Sequence, residues 1–238
     1  MGARKGPGAI AVVTLFLACG TVVAGGGEVN LFYGVKNVDL EDFGNAVESD
    51  TGISIDQLSD LEELNEVGLL FTYGHDWPVA LAVDLLVAGN DITTRYSYGP
   101  QTYGTPYYYS VTAKLEYDTW EVDVGIRKFW GGKVQFYLGT GLAFGNAEVT
   151  VSGSVSPGAS SSVFQPGNGP SISVSENEKA SDWGLWANTG VVGRLGKFVN
   201  LGVDVRFSSI NVDLGDSDDF IRAPAGGLHY GLYIGGRW

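Results

Sequence analysis

The stretch Val199-Asn200-Leu201-Gly202-Val203-Asp204-Val205-Arg206-Phe207 alternates without a break, apolar at every odd position and polar or glycine at every even one. A period of two belongs to a β-strand whose two faces meet different surroundings. Seven further stretches follow the same rule. Val29 to Lys36 sets Val29, Leu31, Tyr33 and Val35 against Asn30, Gly34 and Lys36, and Val67 to Gly74 sets Leu69, Phe71 and Tyr73 against Gly68 and Thr72. Val79 to Val87 opposes Leu81, Val83 and Leu85 to Ala80, Ala82 and Asp84; Trp120 to Trp130 opposes Val122, Val124 and Ile126 to Glu121, Asp123, Gly125 and Arg127. Val134 to Phe144, the less regular Trp183 to Leu195, and Leu228 to Trp238 complete the set. Each is close to the ~9–11 residues that a tilted membrane strand needs.

The connections alternate in length. His75-Asp76-Trp77-Pro78, Gly131-Gly132-Lys133 and Gly196-Lys197-Phe198 carry turn chemistry, whereas residues 37–66, 88–119, 152–182 and 213–227 make long connections. Short turns on one side and long loops on the other are the asymmetry of an up-and-down membrane barrel, turns in the periplasm and loops outside. The expected fold is therefore all-β: an eight-stranded antiparallel transmembrane barrel.

Alternation alone does not say which face is inside, because a soluble barrel would turn its apolar face inward. Two features choose the membrane. Tyr73, Trp77, Phe129, Trp130, Phe198 and Trp238 fall at the tight-turn ends, and Trp120 and Trp183 at the opposite ends, as two interfacial aromatic girdles would. Asp84, Glu121, Asp123, Arg127, Asp204, Arg206 and Arg237 all share the polar face. An Arg in mid-membrane against lipid costs ~2–4 kcal/mol, so several such charges belong in the lumen, where opposite signs pair. An eight-stranded lumen is narrow enough for side chains to fill, so these residues are expected to plug it.

The N-terminus reads as an export signal. Arg4 and Lys5 precede an apolar run from Ala9 to Ala24, which ends on Val22-Val23-Ala24, small residues where a signal peptidase cuts. Residues 1–24 are the expected signal peptide and 25–238 the barrel. Cys19, the only cysteine, falls inside that segment; cleavage after Ala24 leaves no thiol, which suits an oxidising periplasm. Cleavage also leaves 12 basic against 27 acidic residues, a charge near −15 that speaks against a nucleic-acid partner.

The chain resembles the eight-stranded outer-membrane barrel family, the small OmpA/OmpX-type barrels and opacity-type "porin family" proteins. The resemblance rests on Val124-Gly125-Ile126-Arg127-Lys128-Phe129-Trp130, on residues 200–206, and on the ending from Gly227 to Trp238. It implies integration in the bacterial outer membrane, with contact to lipid and lipopolysaccharide. It also implies assembly through a C-terminal strand closing on an aromatic residue, although Gly236 stands where many members carry a bulkier apolar residue. A monomer without cofactor is expected. The family's functions vary, so membership says little about activity.

Three functions compete: a structural barrel displaying loops for binding, a narrow channel for small solutes, and a lipid-modifying enzyme. Lipid-modifying barrels in the resemblance use a His with a Ser or acid at the outer rim. His229 is the one candidate base here, with Ser208, Ser209, Asp213 or Asp216 able to approach. The first is favoured. The first loop is acidic, from Asp39 to Glu66, and Ser54 with Gln57 resembles a capping box ahead of Ile55, Leu58, Leu61 and Leu64, suggesting a short surface helix. The second holds Tyr96, Tyr98, Tyr103, Tyr107, Tyr108 and Tyr109, a surface suited to sugars or a partner protein. Ser152 to Ala180 is Ser/Gly/Pro-rich and reads as a flexible segment. Asp213, Asp216, Asp218 and Asp219 make a solvated acidic rim rather than a defined metal site.

Overall fold

A computed structural model describes residues 26–41, 43, 45, 61–75, 77–98, 109–157, 172–215 and 221–238. Its strands are β1 (Gly27–Asn37), β2 (Glu63–Tyr73), β3 (Ala80–Tyr98), β4 (Tyr109–Gly131), β5 (Val134–Pro157), β6 (Ile172–Leu195), β7 (Val199–Ser209), β8 (Asn211–Leu214), β9 (Ile221–Pro224) and β10 (Gly227–Arg237). Strands β1 to β7 and β10 close into one barrel, each antiparallel to its neighbours, with β1 pairing β2 on one side and β10 on the other. Closure leaves no unpaired sheet edge through the barrel wall, the condition for crossing lipid with strands.

Burial is inverted relative to a soluble barrel. Along β7 the exposed positions are Val199, Leu201, Val203, Val205 and Phe207, and the buried ones are Asn200, Gly202, Asp204, Arg206 and Ser208. The same parity runs through β1, where Leu31 is 58% and Tyr33 64% exposed while Asn30 and Lys36 are enclosed. Glycine makes the interior roomy where it must hold a large side chain. Gly125 and Gly141 face each other across β4 and β5, and a methyl group on Gly141 would stand 2.8 Å from the Trp186 Nε1. Trp186 fills the space these two glycines leave.

The loop end departs from the expected loops. Strands β3 to β6 have 19, 23, 24 and 24 residues, against 11 for β1, β2, β7 and β10. Twenty-four residues extend ~80 Å along the strand, far more than a bilayer needs. The connections read as 88–119 and 152–182 are thus largely paired strand: Ser152 opposes Ser175, and Tyr98 opposes Tyr109. Val149, Thr150 and Val151 supply β-branched side chains that favour this ladder, a signal masked by the Ser and Gly beyond them. The fourth connection carries the β8–β9 hairpin. Leu64 is not on a helix either. It belongs to β2 and is fully buried, as is Leu61, while Ser54, Ile55, Gln57 and Leu58 lie outside the described residues.

These buried residues form a second, apolar core above the barrel. Val38, Leu40, Phe43 and Leu61 from the first connection and Leu64 from the start of β2 pack with Ile210, Val212, Leu214, Ala223 and Ala225 from the fourth. They rest on Tyr117, Ala147 and Val149 of β4 and β5. Tyr117 donates its hydroxyl to the Pro224 carbonyl at 2.8 Å, which ties the hairpin to the barrel wall. The loop end is capped.

Outward-facing Val203 sets a test of sidedness. Val203→Arg should lower the unfolding free energy by ~2–4 kcal/mol in lipid vesicles, measured by urea titration, whereas Val199→Arg near the turn end should cost only ~0–1 kcal/mol. Equal effects at both sites would contradict a lipid-facing belt.

Candidate functional site: a sealed lumen

The interior of the barrel is built by the even-numbered positions of β7 and their counterparts, so strand parity selects which charges meet. At its centre Asp84 from β3 accepts from two guanidinium groups through one oxygen. Arg127 Nη2 donates to Asp84 Oδ2 at 2.7 Å, and Arg206 Nη2 donates to the same atom. Arg206 also pairs with Asp123 and approaches Asp204 at 3.7 Å, and Arg127 Nη1 donates to Thr72 at 2.9 Å. Asp204 in turn accepts from the Tyr137 hydroxyl at 2.5 Å and from Asn188 at 2.8 Å. The indole of Trp186 lies between the two arginines, 5.9 Å from the Arg127 and 5.2 Å from the Arg206 guanidinium carbon. All of these charged groups are at most 2% exposed.

A second polar layer lies toward the cap. Lys36 donates to Thr119 at 3.1 Å and to the Ala225 carbonyl, and stands 3.6 Å from Glu121. Its ammonium thereby joins β1, β4 and the base of the hairpin segment. His229 bridges Glu66, 2.7 Å from Nδ1, and Ser208, 3.0 Å from Nε2. The Ser208 hydroxyl donates to Glu121 at 2.9 Å. Toward the tight turns the filling becomes apolar, with Phe32, Leu70, Leu86, Tyr137, Val192 and Tyr233 in contact. Glu28 ends the column, accepting from Asn200 at 2.7 Å and lying 3.3 Å from His75.

Burying charge is costly unless geometry and hydrogen bonds answer it, and breaking a buried pair from one side costs ~3–5 kcal/mol. Side-chain ion pairs across the bore also tie strands that are not neighbours: Asp84 of β3 is held by Arg206 of β7 on the far wall. The lumen is therefore filled and cross-braced. Outside it runs the apolar belt. A charged interior inside an apolar sleeve is stable only where the sleeve meets hydrocarbon. The chain is an eight-stranded antiparallel β-barrel that turns its apolar face outward, as a membrane-spanning barrel does.

No family model matches the chain, and no curated protein matches it. Among solved structures it is similar to Ail, the attachment invasion locus protein of Yersinia pestis, crystallised with the heparin analogue sucrose octasulfate. The identity is 14%, over 91% of this chain and 100% of that one, with a TM-score of 0.45. It is also similar to the outer membrane protein OprG of Pseudomonas aeruginosa (11%, 90% and 96%, TM-score 0.47) and to Neisserial surface protein A (14%, 89% and 93%, TM-score 0.37). None of these carries weight for function; the membrane assignment rests on the inverted burial.

Of the charged positions singled out in the sequence, Asp84, Glu121, Asp123, Arg127, Asp204 and Arg206 meet in the lumen. Arg237 does not. Its guanidinium turns to the rim and donates to the Lys197 carbonyl at 2.9 Å and the Gly196 carbonyl at 3.3 Å. Arg237 is the final residue of β10, level with the β6–β7 turn, whose carbonyls take its donors. Glu66 moves the other way. Counted among loop acids, it lies inside the barrel, and carrying the alternation of Gly68 back by two residues would have found it. The same parity places Glu28 and Lys36 inside.

Aromatic residues bracket the belt. Trp120, Phe144 and Trp183 cluster at its loop end, with ring centroids 5.5 and 4.9 Å apart along the series. At the turn end Tyr73 meets Trp77, Trp130 stacks on Phe136, Trp238 meets Phe71, and Phe198 is exposed. Tyr96, Tyr98 and Tyr109 have backbone in β3 and β4, while Tyr103, Tyr107 and Tyr108 lie outside the described residues. Asp213 pairs with Arg222 on the hairpin at 3.6 Å; Asp216, Asp218 and Asp219 lie outside the described residues.

The shared Asp84 oxygen gives a direct test. Asp84→Ala leaves two guanidinium groups facing each other and should destabilise the barrel by ~3–5 kcal/mol in urea titrations. Asp213→Ala, which removes an exposed pair, should cost at most ~1 kcal/mol.

Proposed function

We propose that this protein is a non-enzymatic barrel that stays closed and serves the envelope by holding its outer β-ledge and loops above the membrane for binding. The observation that carries this reading is the double seal: a hydrogen-bonded ion layer fills the bore, and an apolar cap closes the loop end above it. A channel needs a continuous polar path, and both seals interrupt one. The line Glu66–His229–Ser208 has the order of a catalytic relay, but Ser208 gives its single proton to Glu121 and all three residues are enclosed beneath the cap. A nucleophile that no substrate reaches, with its proton engaged elsewhere, is a structural hydrogen bond.

In this reading β3 to β6 carry the binding surface, the tyrosines between β3 and β4 contribute to it, and lipopolysaccharide surrounds its base. The protein acts as a monomer without cofactor, inserted through its C-terminal strand by the barrel-assembly machinery.

In planar bilayers the protein should show no steady conductance, and replacing residues 211–224 with a short Gly/Ser linker should leave it silent, because the ion layer remains. A steady open current from the unaltered monomer would refute the sealed barrel. Export predicts that the mature protein isolated from outer membranes begins at Gly25, which N-terminal sequencing reads directly; retention of residues 1–24 would exclude cleavage after Ala24.

A further inference from the structure

The alternation does not end with the apolar belt; on β4 it changes sense. Within the belt the outward positions are Ile126, Val124 and Trp120, and the inward ones are Arg127, Asp123 and Glu121. Above Trp120 the assignment reverses. Asp118, Glu116, Lys114 and Thr112 take the outward positions, and Tyr117, Leu115 and Ala113 the inward ones. Contacts on the neighbouring strands mark the same two sides. Lys114 pairs with Asp91 and Glu116, and Asn177 donates to Glu148 at 2.6 Å and to Thr150 at 3.1 Å, all on the outer wall. Tyr117 and Val149 belong to the cap core and Ala180 packs against it, which marks the inner wall. Above the belt, β3 to β6 are thus half a barrel of the soluble kind, polar outside and apolar within.

The cap covers the lowest part of that inner wall, where Ile92 and Leu115 pack against it. Higher up the wall is open. Val151, opposite Leu115 in the register, is 52% exposed, and Ala113 is exposed. A methyl group added at Gly153, opposite Ala113, would meet no atom within 4 Å. The backbone register continues upward to a row of Tyr96, Val111, Val155 and Ile172. Along β6 the inner positions turn acidic: Glu176 stands opposite Val151 and Glu178 opposite Val149, and both are exposed. Among the described residues neither is in an ion pair, and the inner wall of the ledge carries no Lys or Arg. The result is a trough with an apolar floor and one acidic margin.

We propose that this trough seats an amphipathic helix of a partner protein, apolar on the side toward Val151, Ala113 and Gly153 and cationic on the flank toward Glu176 and Glu178. This deepens the reading of β3 to β6 as the binding surface, on which it rests. Shape and charge select the occupant. Four strands span ~14 Å, enough for the ~10 Å width of one helix. An extended segment would add to a sheet edge, whereas an amphipathic helix lays its apolar side into a groove. The acids on one margin match Lys or Arg along one flank of such a helix, and the net charge of −13 draws a cationic partner toward the chain. An acyl chain would meet the floor and leave the acids unanswered.

The full mature barrel in phosphatidylcholine nanodiscs, titrated with a fluorescent synthetic Leu/Lys helix of about 14 residues, tests this. The helix should bind more tightly than to empty nanodiscs, weaken with added salt, and lose its affinity when every Lys is replaced by Glu. Gly153→Lys, a like charge in the middle of the trough, should weaken binding at least about tenfold. Glu176→Gln with Glu178→Gln should weaken it about fivefold, whereas Asp91→Asn with Glu116→Gln, the same change of charge on the outer wall, should not. Urea midpoints of the variants without peptide should match that of the unaltered barrel. Binding no tighter than to empty nanodiscs, equal losses from the inner-wall and outer-wall pairs, or affinity untouched by Gly153→Lys would overturn the proposal. So would a large fall in the midpoint of Gly153→Lys without peptide, because the chain would then fill the trough itself. Planar-bilayer current reads the closed barrel separately. Failed binding with no current strikes the helix site alone, and a steady current strikes the closed-barrel reading.

Discussion

The two guanidinium groups of Arg127 and Arg206 converge on one oxygen of Asp84, and the architecture follows from the need to keep that cluster out of lipid. Each charge alone would be expelled from an apolar medium at a cost of several kcal/mol. Together, with Asp123, Asp204 and Thr72 bonding or approaching the two guanidinium groups and Tyr137 donating to Asp204, they make an interior that ties opposite walls together. Because Arg206 and Asp84 come from opposite walls, the pairing also sets which strand positions must lie at the same height. Register and ion pairing are one constraint. A slip of one residue in β7 would turn Arg206 into hydrocarbon and Phe207 into the bore.

Above that layer the molecule changes character. The cap is a small soluble-type core, with Leu40, Leu61, Ile210 and Val212 buried against each other rather than against lipid. It is assembled from segments far apart in the chain, which the pairing of β1 with β10 brings together. Lys36 joins the two levels, since its ammonium bonds to Thr119 in the wall and to the Ala225 carbonyl under the hairpin. The polar chain through Glu66, His229, Ser208 and Glu121 lies between the levels and satisfies groups that neither lipid nor the apolar cap would accept. These contacts make the outer mouth a rigid platform from which the long strands rise.

Much of this was legible in the sequence because the signal is a period of two repeated eight times. Val199 to Phe207 states both the strand and its two faces, and Asp84, Asp123, Arg127, Asp204 and Arg206 could be grouped because they share one parity. Glu66 and Leu64 continue β2 although the acids around them look like a loop, and the extensions of β3 to β6 are hard to tell from loops because Ser, Gly and Thr blur the contrast between faces. Beyond the cap, where Ser152 and Ser175 pair, neither face has to meet hydrocarbon, so no contrast is required there.

The sequence by itself determined the eight barrel strands, which of their faces turns outward, and most of the polar interior, Arg237 and Glu66 being the exceptions. Each is decided by the residues of a single strand and the hydrocarbon they must face. What only the tertiary structure decided is who meets whom. That Arg206 reaches Asp84 across the bore as well as Asp123, that Arg237 turns to the rim, and that two distant connections build a cap all depend on curvature and stagger. Those properties arise when the last strand pairs with the first, and no local stretch of chain encodes them.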